Sequence, residues 1–222
     1  MKPPKFYRIT DYDRALLPNP LLRELEDGVS NQEQWMQRTG LSPGHPVWGI
    51  LYHVLLGVLD PQAENLIVET GTNWGTSTIA LAQALKDSGR RGRVLTAEID
   101  PANHAKAVGR FTEAGVADVI DARLGDSIAV LRDELPQRPA ITFAYLDGAH
   151  TFDHVMGEFA LVHPRLAPGA MVVFDNTYAI AEPHEDQRVY GALIAIKQRY
   201  GGNIVHIPYV SWYTPGLAIW QA

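Results

Sequence analysis

The fold of this 222-residue chain is most constrained by a regular alternation of strand-like apolar runs and helical segments that begins at residue 65. Five strand–helix pairs follow one another, and the strands are continuous apolar runs, as expected when helices cover both faces of a parallel sheet. Two further strand-like runs end the sequence with only a loop between them, so one of the two is expected to be antiparallel. This order predicts an α/β fold with a doubly wound, mostly parallel, seven-stranded sheet.

Local signals place the individual elements of this sheet domain. The apolar runs predict strands at 65–69, 92–100, 119–126, 141–147, 168–176, 203–209 and 216–222. Helical spacing and helix stop signals predict helices at 77–86, 101–115, 127–135, 151–166 and 186–200.

Residues 1–60 precede this pattern and are predicted to form an N-terminal helical segment that covers the substrate site, with residues 61–222 as the sheet domain. The clearest N-terminal element is an apolar helix at 46–59. It is shorter than the about 20 residues that a membrane-spanning helix needs. The N-terminus lacks the apolar core of a signal peptide, so a cytoplasmic location is expected.

Composition and charge exclude several kinds of function. The chain has no cysteine, which rules out disulfides, thiolate metal sites and cysteine nucleophiles. Its formal net charge of −6 argues against binding nucleic acid or an anionic membrane, because both usually require a basic surface. A small molecule is the expected partner, and a homodimer is a further possibility.

Acidic residues end most of the predicted strands. In open α/β sheets the ligand binds beyond the carboxyl ends of the strands. A folded chain needs no carboxylate there, so these acids indicate a functional edge of the sheet. The acids are Glu69, Glu98, Asp100, Asp126, Asp147 and Asp175.

The loop after the first strand, ETGTNWGTS (69–77), predicts a nucleoside-type ligand. Gly71 and Gly75 allow close backbone approach, but the G-x-G-x-x-G pattern of dinucleotide-binding proteins is absent. Glu69 at the loop entrance disfavours a diphosphate and favours a cationic ligand. At the end of the second strand, Glu98 is placed to accept both ribose hydroxyls. A generic strand-to-helix turn and a solvated strand end are the alternatives for the glycines and for Glu98.

The pattern E-x-G-x-x-x-G-x-S, an acid ending the second strand, and G-D-S after the third together resemble the class I S-adenosylmethionine-dependent methyltransferases. The resemblance covers about residues 65–222. It implies that S-adenosylmethionine is the cofactor, that Asp126 and Ser127 meet the adenine edge, and that Trp74 borders the cofactor. The implied cofactor-binding residues are Glu69, Gly71, Thr72, Gly75, Ser77, Glu98, Asp126 and Ser127.

A second motif pair, YLDGAH (145–150) and VVFDN (172–176), indicates a metal. Carboxylate and amide oxygens suit Mg²⁺ or another hard divalent cation. D-x-x-H on one strand end with D-N on the next resembles the catechol-type, divalent-cation-dependent O-methyltransferases. That resemblance implies Asp147, Asp175 and Asn176 as metal ligands. Asp147 could instead cap the following helix.

His150 departs from the catechol-type pattern, which has lysine three residues after the first metal acid. Related metal-dependent macrolide-sugar O-methyltransferases have histidine there, as the proposed general base, but carry two acids where this chain has Asp175 and Asn176. The resemblance therefore implies His150 and Asp147 as catalytic residues and leaves two acceptor classes open, a phenol or catechol and a sugar.

In this family three segments cover the acceptor, which here are about residues 30–48, 178–186 and 210–215. Aromatic rings in them could pack on the acceptor, or they could belong to the core or to a dimer interface. His184 is a further candidate for this pocket. The aromatic residues are Trp35, Trp48, Tyr178, Trp212 and Tyr213.

The expected function is Mg²⁺-dependent transfer of a methyl group from S-adenosylmethionine to a hydroxyl of a small molecule. Two alternatives from other classes are a nicotinamide-dependent oxidoreductase on a similar fold and a non-catalytic module that binds a partner. Glu69 and the absent G-x-G-x-x-G pattern disfavour the first, and the complete set of metal-type residues with His150 disfavours the second.

Overall fold

A computed structural model describes residues 17–40, 42–177, 186–208 and 216–222, without the side chains of residues 45, 186 and 187. These residues form a sheet of seven strands in the order β3-β2-β1-β4-β5-β7-β6. The strands are β1 (Asn65–Thr70), β2 (Gly92–Glu98), β3 (Ile120–Leu124), β4 (Ile141–Leu146), β5 (Leu166–Asp175), β6 (Asn203–Ile207) and β7 (Leu217–Gln221).

Most of the helices begin where the sequence supplies a capping side chain or a proline. Asp100, Asp126 and Thr151 each accept a backbone N–H of the helix that follows. The helices are α1 (Pro20–Glu26), α2 (Gln32–Thr39), α3 (His45–Val58), α4 (Thr76–Asp87), α5 (Pro101–Glu113), α6 (Ser127–Glu134), α7 (Phe152–Val162) and α8 (Asp186–Tyr200).

The predicted sheet topology is confirmed. Strands β1 to β5 pair in parallel, and β7 pairs antiparallel with both β5 and β6. The carboxyl ends of β1 to β5 therefore lie along one edge of the sheet. This is the edge at which the sequence places its acids.

The end of α7 and the start of β5 differ from the prediction. The predicted helix runs to residue 166, but α7 ends at Val162, a single 3-10 turn follows, and β5 already begins at Leu166. Pro168 lies inside β5, where the pairing with β4 shifts register between Leu166 and Met171. Proline is tolerated there because an interrupted ladder does not need its missing N–H.

The sheet separates two apolar cores. Successive residues of β1, such as Ile67 and Val68, point into opposite cores. One core packs against α1 to α5 and the other against α6 to α8. Trp35 and Trp48 are buried in the first core with ring centroids 5.2 Å apart. The structure thus places both tryptophans in the core, as the alternative interpretation had it, and corrects the expectation that they contact an acceptor. The division at residue 60 and the covering role of residues 1–60 stay predictions.

Within the described ranges, no helix combines the length and the apolar character needed to cross a membrane.

The second core predicts the effect of a large-to-small substitution in α7. Phe159 is fully buried, with its ring centroid 5.2 Å from those of Tyr200 and Trp220. Phe159→Ala is expected to lower the free energy of unfolding by about 3–5 kcal/mol, because the cavity cannot fully collapse. Urea denaturation measures the change.

Phe152→Ala on the same helix is the matched control, since Phe152 is 42% exposed. Its expected cost is below about 1 kcal/mol. Equal losses for the two variants would contradict the assignment of Phe159 to the core.

Candidate active site

A cleft of about 350 Å³ opens at the carboxyl edge of the sheet. The loops after β1, β2, β3 and β4 all contribute to it, as expected for a ligand site in an open α/β sheet. The lining residues are Gly71, Asn73, Ala97, Glu98, Ile99, Asn103, Gly125, Asp126, Ser127, Asp147, Gly148, Ala149, His150 and His154.

The loop after β1 requires glycine at two positions for reasons of space. A Cβ on Gly71 would lie 1.9 Å from the carbonyl oxygen of Asp147, and the residue has φ +80°. A Cβ on Gly75, at φ +82°, would lie 2.5 Å from the ring of Phe111. Gly71 therefore lets the β1 loop lie directly against the residue that follows β4. Gly75 lets α4 begin close to α5.

Glu98 lies at the centre of the cleft wall. Its Oε2 accepts the N–H of Asn73 at 2.6 Å and its Oε1 accepts the N–H of Asp100 at 2.8 Å. Each carboxylate oxygen has a second lone pair, so the group can still accept hydrogen bonds from a ligand in the cleft. The geometry is compatible with the predicted contact to ribose hydroxyls.

Glu69 lies beneath the glycine loop and does not line the cleft. It is fully buried, and its Oε2 accepts hydrogen bonds from Thr78 Oγ1 and Thr96 Oγ1. Burial raises the pKa of Glu69 to about 7. Thr96 Oγ1 also shares a hydrogen bond with Thr72 Oγ1. Glu69 thus supports the loop from below through a chain of hydroxyl groups.

Four of the predicted cofactor residues line the cleft and four do not. Those that line it are Gly71, Glu98, Asp126 and Ser127. Those that lie behind the cleft surface are Glu69, Thr72, Gly75 and Ser77, of which Glu69, Thr72 and Ser77 are buried polar residues. The second group shapes the loop, and any contact of its side chains with the cofactor stays a prediction.

Asp126 has a local structural role as well as a place in the cleft. Its Oδ1 accepts the N–H of Ala129 at 3.0 Å and so caps α6. Ser127 follows it at the first position of that helix. The capping bond fixes the turn that brings both residues to the cleft.

Trp74 is held over α5. Its Nε1 donates to Asn103 Oδ1 at 2.9 Å, and Lys106 Nζ lies 3.0 Å from the ring centroid. Trp74 is not one of the residues that line the cleft. Its indole orients Asn103, which does line it.

Asp147 and Asp175 are brought together by the register of the sheet. Leu146 of β4 pairs with Phe174 of β5, so the next residue on each strand is one of these two acids. Burial raises the pKa of Asp147 to about 8. Burial, together with the nearby charge of Asp147, raises the pKa of Asp175 well above its usual range. A cation bound between the two carboxylates would reverse both shifts.

Two polar oxygens at this position are buried without a partner. Among the described residues, Asp175 Oδ1 and Asn176 Oδ1 are buried and make no hydrogen bond. One ligand atom each from Asp147, His150 and Asp175 can lie within 4.8 Å of the others. Unpaired buried oxygens are costly unless a ligand satisfies them. Carboxylate and amide oxygens in this arrangement fit a hard divalent cation.

His150 lies beside the acidic pair. Its Nε2 is 3.1 Å from Asp147 Oδ1, and Asn176 Nδ2 is 2.8 Å from its Nδ1. With Asp147 ionised, as a bound cation would hold it, Nε2 donates to the carboxylate and Nδ1 accepts from the Asn176 amide. The side chain is 30% exposed and lines the cleft. His150 can therefore reach a ligand as well as the acids.

Most of the predicted acceptor pocket lies outside the described residues. This applies to the loops at 178–185 and 209–215, which contain Tyr178, His184, Trp212 and Tyr213. Their role stays a prediction.

Several residues of the site were missed in the sequence. Asn73 lies at φ +48°, and its amide is bonded to Glu98. An asparagine inside a glycine loop could have signalled such a left-handed position. His154 lines the cleft, and Glu158 lies beneath it. Helical spacing of four residues between them was the available signal.

Known proteins match the part of the chain that contains the site. A methyltransferase domain family matches residues 68–177, the region that contains the glycine loop, Glu98, Asp126 and the two metal motifs. The rhamnosyl O-methyltransferase of Mycobacterium tuberculosis is 28% identical over 137 residues, 60% of this chain and 52% of that protein. A catechol O-methyltransferase of Niastella koreensis is 35% identical over 124 residues, 52% of this chain and 50% of that protein. The chain thus spans about half the length of these curated relatives.

Solved structures share the fold. One is the O-methyltransferase TomG from Streptomyces achromogenes, involved in tomaymycin synthesis and solved with S-adenosylmethionine. It has a TM-score of 0.69 at 23% identity, with 94% of this chain and 89% of that chain covered. An O-methyltransferase from Bacillus cereus solved with S-adenosylhomocysteine has a TM-score of 0.70 at 18% identity, covering 91% and 90% of the two chains. The class I methyltransferase fold expected from the motifs is confirmed.

The close approach of the β1 loop to β4 predicts the effect of Gly71→Ala. The new Cβ would collide with the Asp147 carbonyl, so the loop and the end of β4 must separate. The free energy of unfolding, measured in urea, is expected to fall by ~2 kcal/mol more than in the control described next.

Gly89→Ala is the matched control. Gly89 also has positive φ, +65°, but a Cβ there would meet nothing within 4 Å. Its cost is therefore the backbone term alone, about 1 kcal/mol. Equal losses would show that Gly71 is needed only for its backbone conformation.

Proposed function

We propose that this class I methyltransferase transfers the methyl group of S-adenosylmethionine to a sugar hydroxyl of a small molecule, with a divalent cation bound beside the acceptor. The observation that carries the proposal is the pair of the largely buried Asp147 and the buried Asp175, with the unpaired oxygens of Asp175 and Asn176 next to it. Buried like charges of this kind are retained where a cation or a proton neutralises them.

The residues that would hold the cation are Asp147, Asp175 and Asn176, which meet at the ends of β4 and β5. When bound, a hard divalent cation supplies Lewis-acid chemistry that lowers the pKa of a neighbouring hydroxyl. Tyr145 fixes the first of these ligands, since its hydroxyl donates to Asp147 Oδ2 at 3.1 Å.

His150 is the proposed general base. Its Nδ1 lies 2.8 Å from Asn176 Nδ2, so this amide must turn away before Nδ1 can take a proton from the acceptor. A histidine can accept a proton near neutral pH and so leave the acceptor oxygen free to attack a methyl group. The Nε2–H bond to Asp147 holds the ring in the required tautomer.

The glycine loop and Glu98 would hold the methyl donor. Gly71 brings the loop within contact of Asp147, which places the two halves of the cleft side by side. Glu98 would accept the ribose hydroxyls through its remaining lone pairs. Positioning of donor and acceptor is the main demand of this reaction, because the sulfonium already activates its methyl group.

A sugar acceptor is favoured over a phenol by His150 and by the relatives. The chain has histidine where the catechol-type pattern has lysine. The rhamnosyl O-methyltransferase match is longer, 137 residues at 28% identity against 124 residues at 35% for the catechol relative. Both acceptor classes present neighbouring hydroxyl groups, which suits a site with a cation next to a base.

A turnover assay tests the proposal. Transfer of labelled methyl groups to rhamnosides and to catechols is measured with the full chain, first stripped of metal and then supplied with Mg²⁺. The proposal expects Mg²⁺-dependent labelling that is greater for the rhamnosides. Greater labelling of catechols would reassign the acceptor, and undiminished labelling in EDTA would reject the metal.

Metal binding should stabilise the protein in a pH-dependent way. The folded pKa of Asp147, about 8, exceeds the unfolded value of about 3.9. The metal-free protein therefore loses stability as pH rises through this range, because the carboxyl ionises in the unfolded chain but stays protonated in the folded one. Metal binding requires the ionised form. Stabilisation by Mg²⁺ is thus expected to be larger at pH 8.5 than at pH 6, measured by urea unfolding.

The expected size at pH 8.5 is about 1.4–2.7 kcal/mol at free Mg²⁺ of 10 to 100 times its Kd. Asp175→Asn is the matched variant, because it keeps the shape of the site. It should stabilise the metal-free protein by removing one buried charge and should also abolish the Mg²⁺ response. A Mg²⁺ response that survives in this variant would place the cation elsewhere.

His150→Gln should separate the role of base from that of metal ligand. As a base, its loss is expected to lower kcat by about 10²–10⁴-fold while the stabilisation by Mg²⁺ is retained. His53→Ala, on the exposed face of α3, is the control and should leave both unchanged. If His150→Gln also removed the Mg²⁺ response, His150 would be a ligand rather than the base.

A further inference from the structure

A buried carboxylate on α7 lies beneath the cleft and takes no part in the metal site. Glu158 is 1% exposed. Ser127 Oγ donates to Glu158 Oε1 at 2.6 Å, and His154 Nε2 is 3.1 Å from the same oxygen. Ser127 Oγ is also 2.8 Å from His154 Nε2. These three side chains, the Glu158 triangle, join the start of α6 to the first two turns of α7.

The triangle fixes the orientation of the His154 ring. A carboxylate oxygen only accepts, so the Ser127 hydroxyl and His154 Nε2–H both have Glu158 as their acceptor. This leaves Nδ1 as the free ring nitrogen. Within the described part of the chain, no side chain or backbone group bonds to Nδ1, and it is not one of the buried unpaired atoms. Since His154 lines the cleft, Nδ1 is accessible to a ligand there.

The triangle lies at the end of the cleft formed by the loop after β3. Ser127 and Asp126 line that end, whereas Glu98 lines the wall after β2 and His150 lies by the acids. If Glu98 holds the ribose, the base of the nucleoside lies beyond it, toward Ser127 and His154. His154 thus offers a free hydrogen-bonding atom where the base would lie, beside the carboxylate of Asp126.

We propose that His154 recognises the adenine edge of the methyl donor through Nδ1, and that Glu158 is the positioning residue that holds His154 and Ser127 for this contact. The inference rests on the proposed function, since it requires an adenine nucleoside in the cleft. The proposal assigns recognition of the adenine base to a histidine and a glutamate that lie outside the cofactor motifs and the metal motifs.

The protonation state of His154 decides which group of a base Nδ1 can bind. The hydrogen bond from His154 to Glu158 raises the pKa of His154, and the nearby Asp126 acts in the same direction. A neutral ring accepts at Nδ1 and a protonated ring donates there. The exocyclic amino group of adenine is a donor that the neutral ring accepts at Nδ1. Hypoxanthine has a carbonyl oxygen at that position, which cannot donate to Nδ1.

The packing above Glu158 explains why a carboxylate is fixed at this point. A Cβ on Gly148 would lie 2.7 Å from Glu158 Oε1 and 3.3 Å from Thr70 Oγ1. The loop that carries Asp147 therefore passes directly over Glu158. Glu158 is held between this loop and α6, which leaves its oxygen little freedom to move.

The test compares two ligands that differ only in the base. Dissociation constants of S-adenosylhomocysteine and S-inosylhomocysteine are measured by calorimetry for the wild-type chain and for His154→Ala, with His53→Ala as the control. The wild type should prefer the adenine ligand. His154→Ala should weaken adenine binding about 10-fold and hypoxanthine binding much less, so the preference narrows. An unchanged preference would overturn the proposal.

Glu158→Gln separates positioning from a general structural role. The variant keeps the size of the side chain but replaces one carboxylate oxygen with an amide donor. The side chain then no longer fixes Ser127 and His154 as its two hydrogen-bond donors. The preference for adenine should narrow, while the stabilisation by Mg²⁺ persists. If both ligands weakened equally, Glu158 would serve the fold alone.

The same binding data distinguish a failure of the proposed function from a failure of the role of His154. A wild-type chain that binds neither ligand would overturn the proposed function and this inference together. A wild-type chain that binds S-adenosylhomocysteine, with a preference for adenine that His154→Ala leaves intact, would overturn only the role of His154.

Discussion

The pairing of β4 with β5 forces two acids into contact, and the site is built around the energetic consequence. Leu146 opposes Phe174 in the parallel register, so Asp147 and Asp175 emerge side by side at the edge of the sheet. Both are largely buried, and their pKa values rise because the loss of water outweighs the hydrogen bond from Tyr145 and the contact with His150. Such a pair is stable as a cation site and unfavourable as bare anions.

The glycine loop depends on the same strand end. Gly71 packs directly against the Asp147 carbonyl, so the loop that would hold the methyl donor and the acids that would hold the metal share one contact. Glu69 supports this loop from beneath through threonine hydroxyls. On the other side, Glu158 lies under the loop that carries Asp147. The methyl-donor loop, the metal site and the Glu158 triangle therefore all contact residues 147–148.

The sequence predicts the fold and the acidic pair well, because both follow from strand order. Continuous apolar runs separated by helices leave few sheet topologies, and parallel strands must end at one edge. The position of Glu69 was less predictable. A strand-end acid can point into the cleft or under the loop, and the side depends on the β1 register and on the hydroxyls of Thr78 and Thr96.

The remaining features depend on packing contacts between residues far apart in the sequence, which local patterns do not predict. Trp35 and Trp48 are large aromatic residues near the expected acceptor segment, but they pair with one another in the core. The Glu158 triangle joins Ser127 to residues 27 and 31 positions further along the chain, and no local pattern indicates that Ser127 meets α7. The early start of β5 at Leu166 depends on a register shift that accommodates Pro168. Each of these outcomes is set by tertiary contacts rather than by local sequence.

The central claim is that Asp147 and Asp175 hold a divalent cation, and Mn²⁺ titration followed by electron paramagnetic resonance tests it most directly. The free-ion signal gives the number and affinity of bound ions for the full chain. The account predicts one tightly bound Mn²⁺ per wild-type chain and loss of that binding in Asp147→Asn. An unattenuated free-ion signal with the wild-type chain, or equal binding by the variant, would contradict it.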